Sequence, residues 1–234
     1  ILGTGSVTHE AWRLNGQNIE PITDPNDTEG KIQFYRGGNL RIDALKAAVS
    51  QFIDQTEAAN ANISDANSRH RISIVSYENN ATVNAQLTTC YGDGADDLKR
   101  AVENIEAGGG TSPQDGMSEA RDILNNDARS NAQKVVIFFA DGEADSNSQA
   151  SQAVSIARGL KTAENPTIIY SVGIFENANP DNDPADQNTQ SSDRFMHAMS
   201  SNYPNATAND RNSLGQRAEN TQGEDSYYKA ATDA

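Results

Sequence analysis

The sequence predicts a three-layer α/β sandwich built on a mostly parallel sheet with one antiparallel edge strand. Two apolar runs, residues 134–140 and 166–175, lack polar alternation, as strands buried on both faces of a parallel sheet do. Segments with helical spacing of apolar residues separate these runs. The three-residue link at 78–80 joins two further strand-like segments, which predicts a hairpin and therefore the antiparallel strand. Strands that alternate with helices are typical of layered α/β domains.

The elements follow in order along what we expect to be a single domain, because no linker rich in Pro and Ser divides the chain. Residues 1–40 are expected to be an irregular connection rich in Gly, Asn, Asp and Thr, with a short strand at 31–35. The α/β body is expected to extend over residues 41–234, and Ile42 and Leu45 begin its first helical face. The predicted helices are 41–59, 96–107, 111–126, 148–163 and 191–201, the predicted strands are 71–77, 81–89, 134–140, 166–175 and 226–230, and a polar insertion covers 176–190.

The charge balance limits the possible partners. The chain of 234 residues has 18 Lys and Arg against 33 Asp and Glu, a formal net charge of −15. This balance argues against binding to nucleic acid or to an anionic membrane surface, and it suits a protein that attracts cations. No apolar run approaches the ~18 residues of a membrane-spanning helix, so we expect no membrane insertion in this segment. A single cysteine, Cys90, excludes an internal disulfide framework.

Two oxygen-bearing side chains are expected at the ligand-binding edge of the sheet. Asp141 directly follows the predicted strand 134–140, and Thr111 lies between three glycines and a helix. Open parallel sheets bind ligands at the carboxyl ends of their strands. A hydroxyl and a carboxylate are donors that suit Mg²⁺, although two oxygens alone would bind it weakly. Alternatively, Thr111 only precedes a helix cap and Asp141 only begins a turn before Gly142.

Neighbouring residues complete the candidate site. Ser112 is a plausible N-cap, with Pro113 at the first helical position, and Ser112 and Glu143 are candidates for a ligand-binding rim. Asp145 is expected to be solvated. No Ser/His/Asp or Cys/His arrangement is evident, so we predict no catalytic residues and no enzyme activity.

The segments "AGGGTSPQDGMSEARDIL" and "AQKVVIFFADGEAD" resemble two loops of the von Willebrand factor type A (vWA) domain. That Rossmann-like family carries a metal-ion-dependent adhesion site with ligands from an Asp-x-Ser-x-Ser sequence, a Thr in a Gly-rich loop and an Asp before Gly. Thr111 and Asp141 match the second and third elements. The resemblance covers residues 41 to about 175 and implies a Mg²⁺, Mn²⁺ or Ca²⁺ cofactor, on condition that the ligands missing from this chain are supplied.

The Asp-x-Ser-x-Ser element of the family is not found in this sequence. We expect that the chain is truncated at both ends and lacks the first central strand, which precedes that element in the family. The alternative is a degenerate site in which "LGTGSV" replaces the element, with Thr4 and Ser6 for the two serines and Leu2 for the Asp. Loss of a central strand exposes the hydrogen-bonding edges of its neighbours. The isolated chain should therefore be marginally stable or need a complementary strand.

The resemblance implies an adhesion module that binds a protein ligand through a cation bridging to a ligand carboxylate. The tail is similar to A domains of Gram-positive cell-surface and pilus-tip adhesins, which implies an extracellular, cell-wall or pilus-associated location on a bacterium. The partner would be a protein such as a host extracellular-matrix component or a pilus subunit. The alternatives are a metal-free scaffold for assembly and a Mg²⁺-dependent hydrolase that uses Asp141.

Overall fold

The structure, a computed structural model, describes residues 11–15, 18–22, 31–32, 40–142 and 144–230. Three short strands precede the body and form an antiparallel sheet in the order β2-β1-β3. They replace part of the irregular connection expected for the N-terminal region, and the third confirms the strand expected near residue 31. Apolar and polar residues alternate from Trp12 to Asn15 of β1, and this pattern outweighs the turn-forming composition around it. The three strands are β1 (Ala11–Asn15), β2 (Asn18–Ile22) and β3 (Lys31–Ile32).

The body contains the predicted alternation of helices and strands. The ends of several elements differ by one to four residues from those predicted. For example, α2 begins at Asp93 rather than at residue 96, because Gly92 has a positive φ of 56° and its carbonyl accepts from the amide of Ala95. No helix in the described part of the chain is both long and apolar enough to cross a membrane. The elements are α1 (Leu40–Ala61), β4 (Arg71–Tyr77), β5 (Ala81–Thr89), α2 (Asp93–Glu103), α3 (Pro113–Asn126), β6 (Val135–Ala140), α4 (Asn147–Lys161), β7 (Ile168–Gly173), α5 (Ser191–Met199) and β8 (Tyr228–Ala230).

The strands of the body form two separate sheets. β4 and β5 make the predicted antiparallel hairpin, while β6, β7 and β8 form a parallel sheet in that order. Among the described residues, β4 pairs only with β5 and β6 pairs only with β7. The α/β class is therefore confirmed, and the sheet is divided between β4 and β6.

The hydrophobic core is divided in the same way. Ile53 and Leu98 belong to a cluster that packs α1 and α2 against the hairpin, whereas Phe138 and Ile169 belong to a larger cluster between α3, α4, α5 and the parallel sheet. On the side of β6 that this cluster leaves uncovered, Val135 and Ile137 are 46% and 37% exposed. A strand without polar alternation is normally buried on both faces. Among the described residues, no strand covers this side of β6.

Buried polar groups hold the C-terminal half together. The Lys161 ammonium donates to the carbonyl oxygens of Ala198 at 2.7 Å, Tyr203 at 2.9 Å and Ser200 at 3.0 Å. It thereby satisfies carbonyl groups in the last turn of α5 and just beyond it that the helix itself leaves unpaired. Burial lowers the pKa of Lys161 to about 7, while the surrounding carbonyls favour its charged form.

The polar insertion is organised around a buried carboxylate. Asp193, on α5, accepts from the amide of Asn179 at 2.9 Å and from the Asn182 side chain at 2.8 Å, and the Tyr228 hydroxyl also donates to it. His197 lies nearby with its ring edge-on to Tyr228, and neither ring nitrogen has a hydrogen-bond partner among the described residues. The insertion is thus anchored to α5 rather than freely solvated.

Candidate metal centre

Asp141 lies at the carboxyl end of β6, beside a tyrosine from β4. The Tyr77 hydroxyl donates to the carbonyl oxygen of Phe139 at 2.6 Å, and the Tyr77 ring stacks on Phe138 with 5.6 Å between centroids. Burial raises the pKa of Tyr77 well above its usual value, and the negative charge of Asp141 raises it further. Asp141 itself is exposed to solvent.

The glycine-rich loop before α3 is held by the turn of the hairpin. The amide of Gly110 donates to Asn79 Oδ1 at 3.0 Å, and the amide of Ser112 donates to the carbonyl of Glu78 at 2.7 Å. A Cβ on Gly110 would collide with the carboxylate of Asp145 and the amide oxygen of Asn79. A side chain at position 110 would therefore displace the Asp145 and Asn79 side chains from the loop.

Hydrogen bonds in both directions join this loop to the loop after β6. The amide of Thr111 donates to Asp145 Oδ2 at 2.8 Å, and the amide of Asp145 donates to the carbonyl of Thr111 at 3.0 Å. Thr111 and Asp141 therefore belong to loops that meet at one edge, as the order of strands and helices predicts. Asp145 is exposed, as expected, and its carboxylate also bonds to the neighbouring loop.

Of the two predicted rim residues, Ser112 and Glu143, the structure describes only Ser112. Ser112 is the residue before α3, with Pro113 at the first helical position, as predicted. Its hydroxyl makes no capping bond but accepts from Gln149 Nε2 at 3.2 Å, and the residue is only 3% exposed. Ser112 thus lies beneath the surface rather than on a rim. Glu143 lies outside the described residues, as do Leu2, Thr4 and Ser6 of the alternative degenerate site.

The donor chemistry of Thr111 and Asp141 fits a hard divalent cation, which prefers hydroxyl, carboxylate and water oxygens. Within the described ranges, no group of three or more His, Cys, Asp or Glu residues is placed to hold a metal ion. Two protein oxygens would fill a minority of an octahedral shell. Water or further chain oxygens would have to supply the other positions.

Sequence reasoning missed three residues that organise this edge: Tyr77, Asn79 and Asp145. Asn79 could have been found, because it lies in the hairpin turn that the 78–80 link predicts. Asp145 could have been suspected as the last carboxylate before the next helix. The contact of Tyr77 with β6 joins residues 62 positions apart and has no local sequence signal.

Comparison with known proteins agrees with the α/β fold. A sequence model of the von Willebrand factor type A domain matches residues 27–143, which is half of the chain. Among solved structures, proximal thread matrix protein 1 from the mussel byssus is 14% identical, with a TM-score of 0.51 over 82% of this chain and 38% of its own. Manganese-loaded TRAP protein of Plasmodium vivax is 16% identical, with a TM-score of 0.50 over 80% of this chain and 59% of its own.

A third structure, the type V pilus-tip protein Mfa5 of Porphyromonas gingivalis, is 21% identical over 44% of this chain and 17% of its own. Its TM-score of 0.38 is too low to support a conclusion. The chain spans 17% to 59% of the length of these three proteins, whose identities indicate a shared fold alone. No curated protein sequence matches significantly. The family match over residues 27–143 shows that the chain belongs to the von Willebrand factor type A domain family.

Proposed function

We propose that this domain is a binding module that recognises a carboxylate of a protein ligand through a divalent cation. Thr111 and Asp141 would contribute oxygens to Mg²⁺, Mn²⁺ or Ca²⁺, and the ligand carboxylate would complete the cation's coordination. The observation that carries the proposal is the pair of hydrogen bonds between Thr111 and Asp145, because it brings the glycine-rich loop against the loop of Asp141.

Exposure and charge support this proposal. Asp141 is exposed at the carboxyl edge of β6, where both a cation and a protein surface could reach it. The net charge of −15 favours cation uptake near the protein. A manganese-loaded protein, TRAP of Plasmodium vivax, has a related fold at a TM-score of 0.50. Binding is favoured over catalysis because no nucleophile and base were recognised in the sequence.

The proposal extends to the setting of the domain. We expect a bacterial surface, cell-wall or pilus-associated protein whose partner is a host matrix protein or another pilus subunit. The resemblance of the sequence to surface adhesins supports this setting. The acidic composition supports a protein partner over nucleic acid, which would be repelled.

A paramagnetic titration tests the cation site directly. Mn²⁺ added to the chain should broaden the NMR amide signals of the loops around Thr111 and Asp141 before other signals, and EDTA should restore them. Asp141→Ala should abolish this local broadening, and a cooperative urea transition should show that the variant still folds. Asp127→Ala is the matched control, because Asp127 is an exposed carboxylate at the opposite end of α3.

Each alternative predicts a different result. A metal-free scaffold should show no local broadening and should bind its partner equally in Mg²⁺ and in EDTA. A hydrolase should turn over a phosphoester substrate in Mg²⁺ and lose that turnover in Asp141→Ala. Local broadening that persists in Asp141→Ala would contradict the assigned ligand.

A further inference from the structure

We propose that Asp145 is the positioning residue of this site: its carboxylate holds the Thr111 backbone in place for the cation and is not itself a cation ligand. This inference rests on the proposed function and assigns to Asp145 a role distinct from that of Asp141. It separates two carboxylates that lie four positions apart in one loop.

Asp145 bonds to both the amide and the carbonyl of Thr111, and we call this pair of hydrogen bonds the clamp. Its Oδ2 accepts from the amide of Thr111 at 2.8 Å, and its own amide donates to the carbonyl of Thr111 at 3.0 Å. Both polar groups of the Thr111 backbone are therefore bonded to one residue. A carboxylate is a stronger acceptor for an amide than a neutral oxygen is, so the charged group suits this task.

The clamp acts on a loop that has little stiffness of its own. Gly109 has a positive φ of 69°, and Gly110 has no space for a side chain beside Asp145 and Asn79. Glycine is the most conformationally free residue, so this loop needs external bonds to hold one conformation. Asn79 supplies one such bond to Gly110 at 3.0 Å, and Asp145 supplies the two bonds to Thr111.

Asp145 is itself fixed by the helix that follows it. Ser146 is the N-cap of α4, and its hydroxyl accepts from the amide of Gln149 at 3.3 Å. The Gln149 side chain donates to the Ser112 hydroxyl at 3.2 Å. Asp145, directly before the N-cap, therefore contacts Thr111, and the first turn of α4 contacts Ser112 through Gln149, so that the start of α4 supports the glycine-rich loop.

Two substitutions distinguish positioning from direct ligation. Asp145→Ala removes the acceptor, whereas Asp145→Asn keeps an oxygen of similar position without the charge. Amide hydrogen exchange of Thr111, measured without any metal, should accelerate at least about tenfold in Asp145→Ala, because its hydrogen bond to a charged group is lost, and should change much less in Asp145→Asn.

Mn²⁺ affinity, from the same broadening titration, provides the second readout. Asp145→Ala should weaken Mn²⁺ binding by about 10- to 100-fold, as loss of outer-shell partners of a metal site does, and Asp145→Asn should retain most of the affinity. Asp127→Ala should change neither readout, and equal urea midpoints would confirm that the variants fold.

The outcomes separate this inference from the proposed function. Unchanged Thr111 exchange in Asp145→Ala overturns the clamp even if Mn²⁺ still binds. Equal loss of Mn²⁺ affinity in both variants, with exchange accelerated only in Asp145→Ala, identifies Asp145 as a ligand and also overturns it. If the unmodified chain binds no Mn²⁺, the proposed function fails and the cation role of Asp145 fails with it, whatever the exchange data show.

Discussion

The Tyr77 hydroxyl donates to the Phe139 carbonyl at 2.6 Å and so joins two strands that share no backbone ladder among the described residues. The Tyr77 ring also stacks on Phe138, with an interplanar angle of 6°. A side chain of β4 thus reaches the edge of β6 where a strand would otherwise pair. This contact links the two halves of the domain directly beside Asp141.

Tyr77→Phe should lower the free energy of unfolding by about 1–2 kcal/mol, because it keeps the ring and leaves the Phe139 carbonyl without this donor. The midpoint of urea unfolding measures the effect. Tyr170→Phe is the matched control, since Tyr170 is 36% exposed on β7. Loss of its hydroxyl should change the free energy of unfolding by less than about 0.5 kcal/mol. Equal effects of the two substitutions would show that the hydroxyl bond does not stabilise the domain.

The divided sheet should make the isolated chain weakly stable. Exposed Val135 and Ile137 contribute little burial, and the facing edges of β4 and β6 lack backbone partners in the described residues. We expect a thermal midpoint below the roughly 45–65 °C of ordinary mesophilic domains, measured by circular dichroism on a verified monomer. A monomer with a cooperative transition above that range would contradict this prediction.

Lys161→Met should destabilise the domain by roughly 2–4 kcal/mol, because the carbonyl oxygens of Ala198, Ser200 and Tyr203 would lose a charged donor in a buried site. Lys99→Met is the control: Lys99 pairs with the exposed Asp54, and such surface pairs contribute at most about 1 kcal/mol. Chemical denaturation at neutral pH compares them. A smaller loss of unfolding free energy for Lys161→Met than for Lys99→Met would contradict the stabilising role assigned to Lys161.

His197 should make stability depend on pH. Burial, and to a smaller extent the charge of Arg217, lowers the pKa of His197 to about 4, with Asp193 and Asp183 opposing this shift. Because the folded-state pKa lies below the ordinary value of 6.5, the unfolded chain binds the proton first. This lowered pKa contributes about 3 kcal/mol to the free energy of unfolding above pH ~6.5. The contribution is lost as the pH falls to ~4.

The measurement for His197 is the free energy of unfolding between pH 4 and pH 7 in the unmodified chain and in His197→Phe. The aromatic replacement keeps the edge-on packing against Tyr203 and Tyr228 but cannot be protonated. The difference between the two pH profiles isolates the histidine from carboxylates that titrate nearby. Parallel profiles would mean that His197 does not control acid stability.

Much of the body could be predicted from local patterns. The helical spacing of apolar residues in α1 and the uninterrupted apolar run of β6 identify these elements, because each signal lies within one segment. The short link at 78–80 likewise predicts the β4–β5 hairpin, and the position of Asp141 after β6 predicts its place at the ligand-binding edge. Of the N-terminal strands, β3 was predicted and β1 and β2 were missed, since turn-forming residues surround them.

Sequence patterns therefore established the α/β class, the order of its elements and two candidate ligands, Thr111 and Asp141. They could not show that the sheet is divided between β4 and β6, that Tyr77 crosses this division, or that Asp145 clamps Thr111. These features depend on contacts between residues 34 and 62 positions apart, which form only when separate strands and helices pack together. Periodicity reports which residues share a face of one element, whereas hydrogen bonds between loops depend on where the folded chain places their ends.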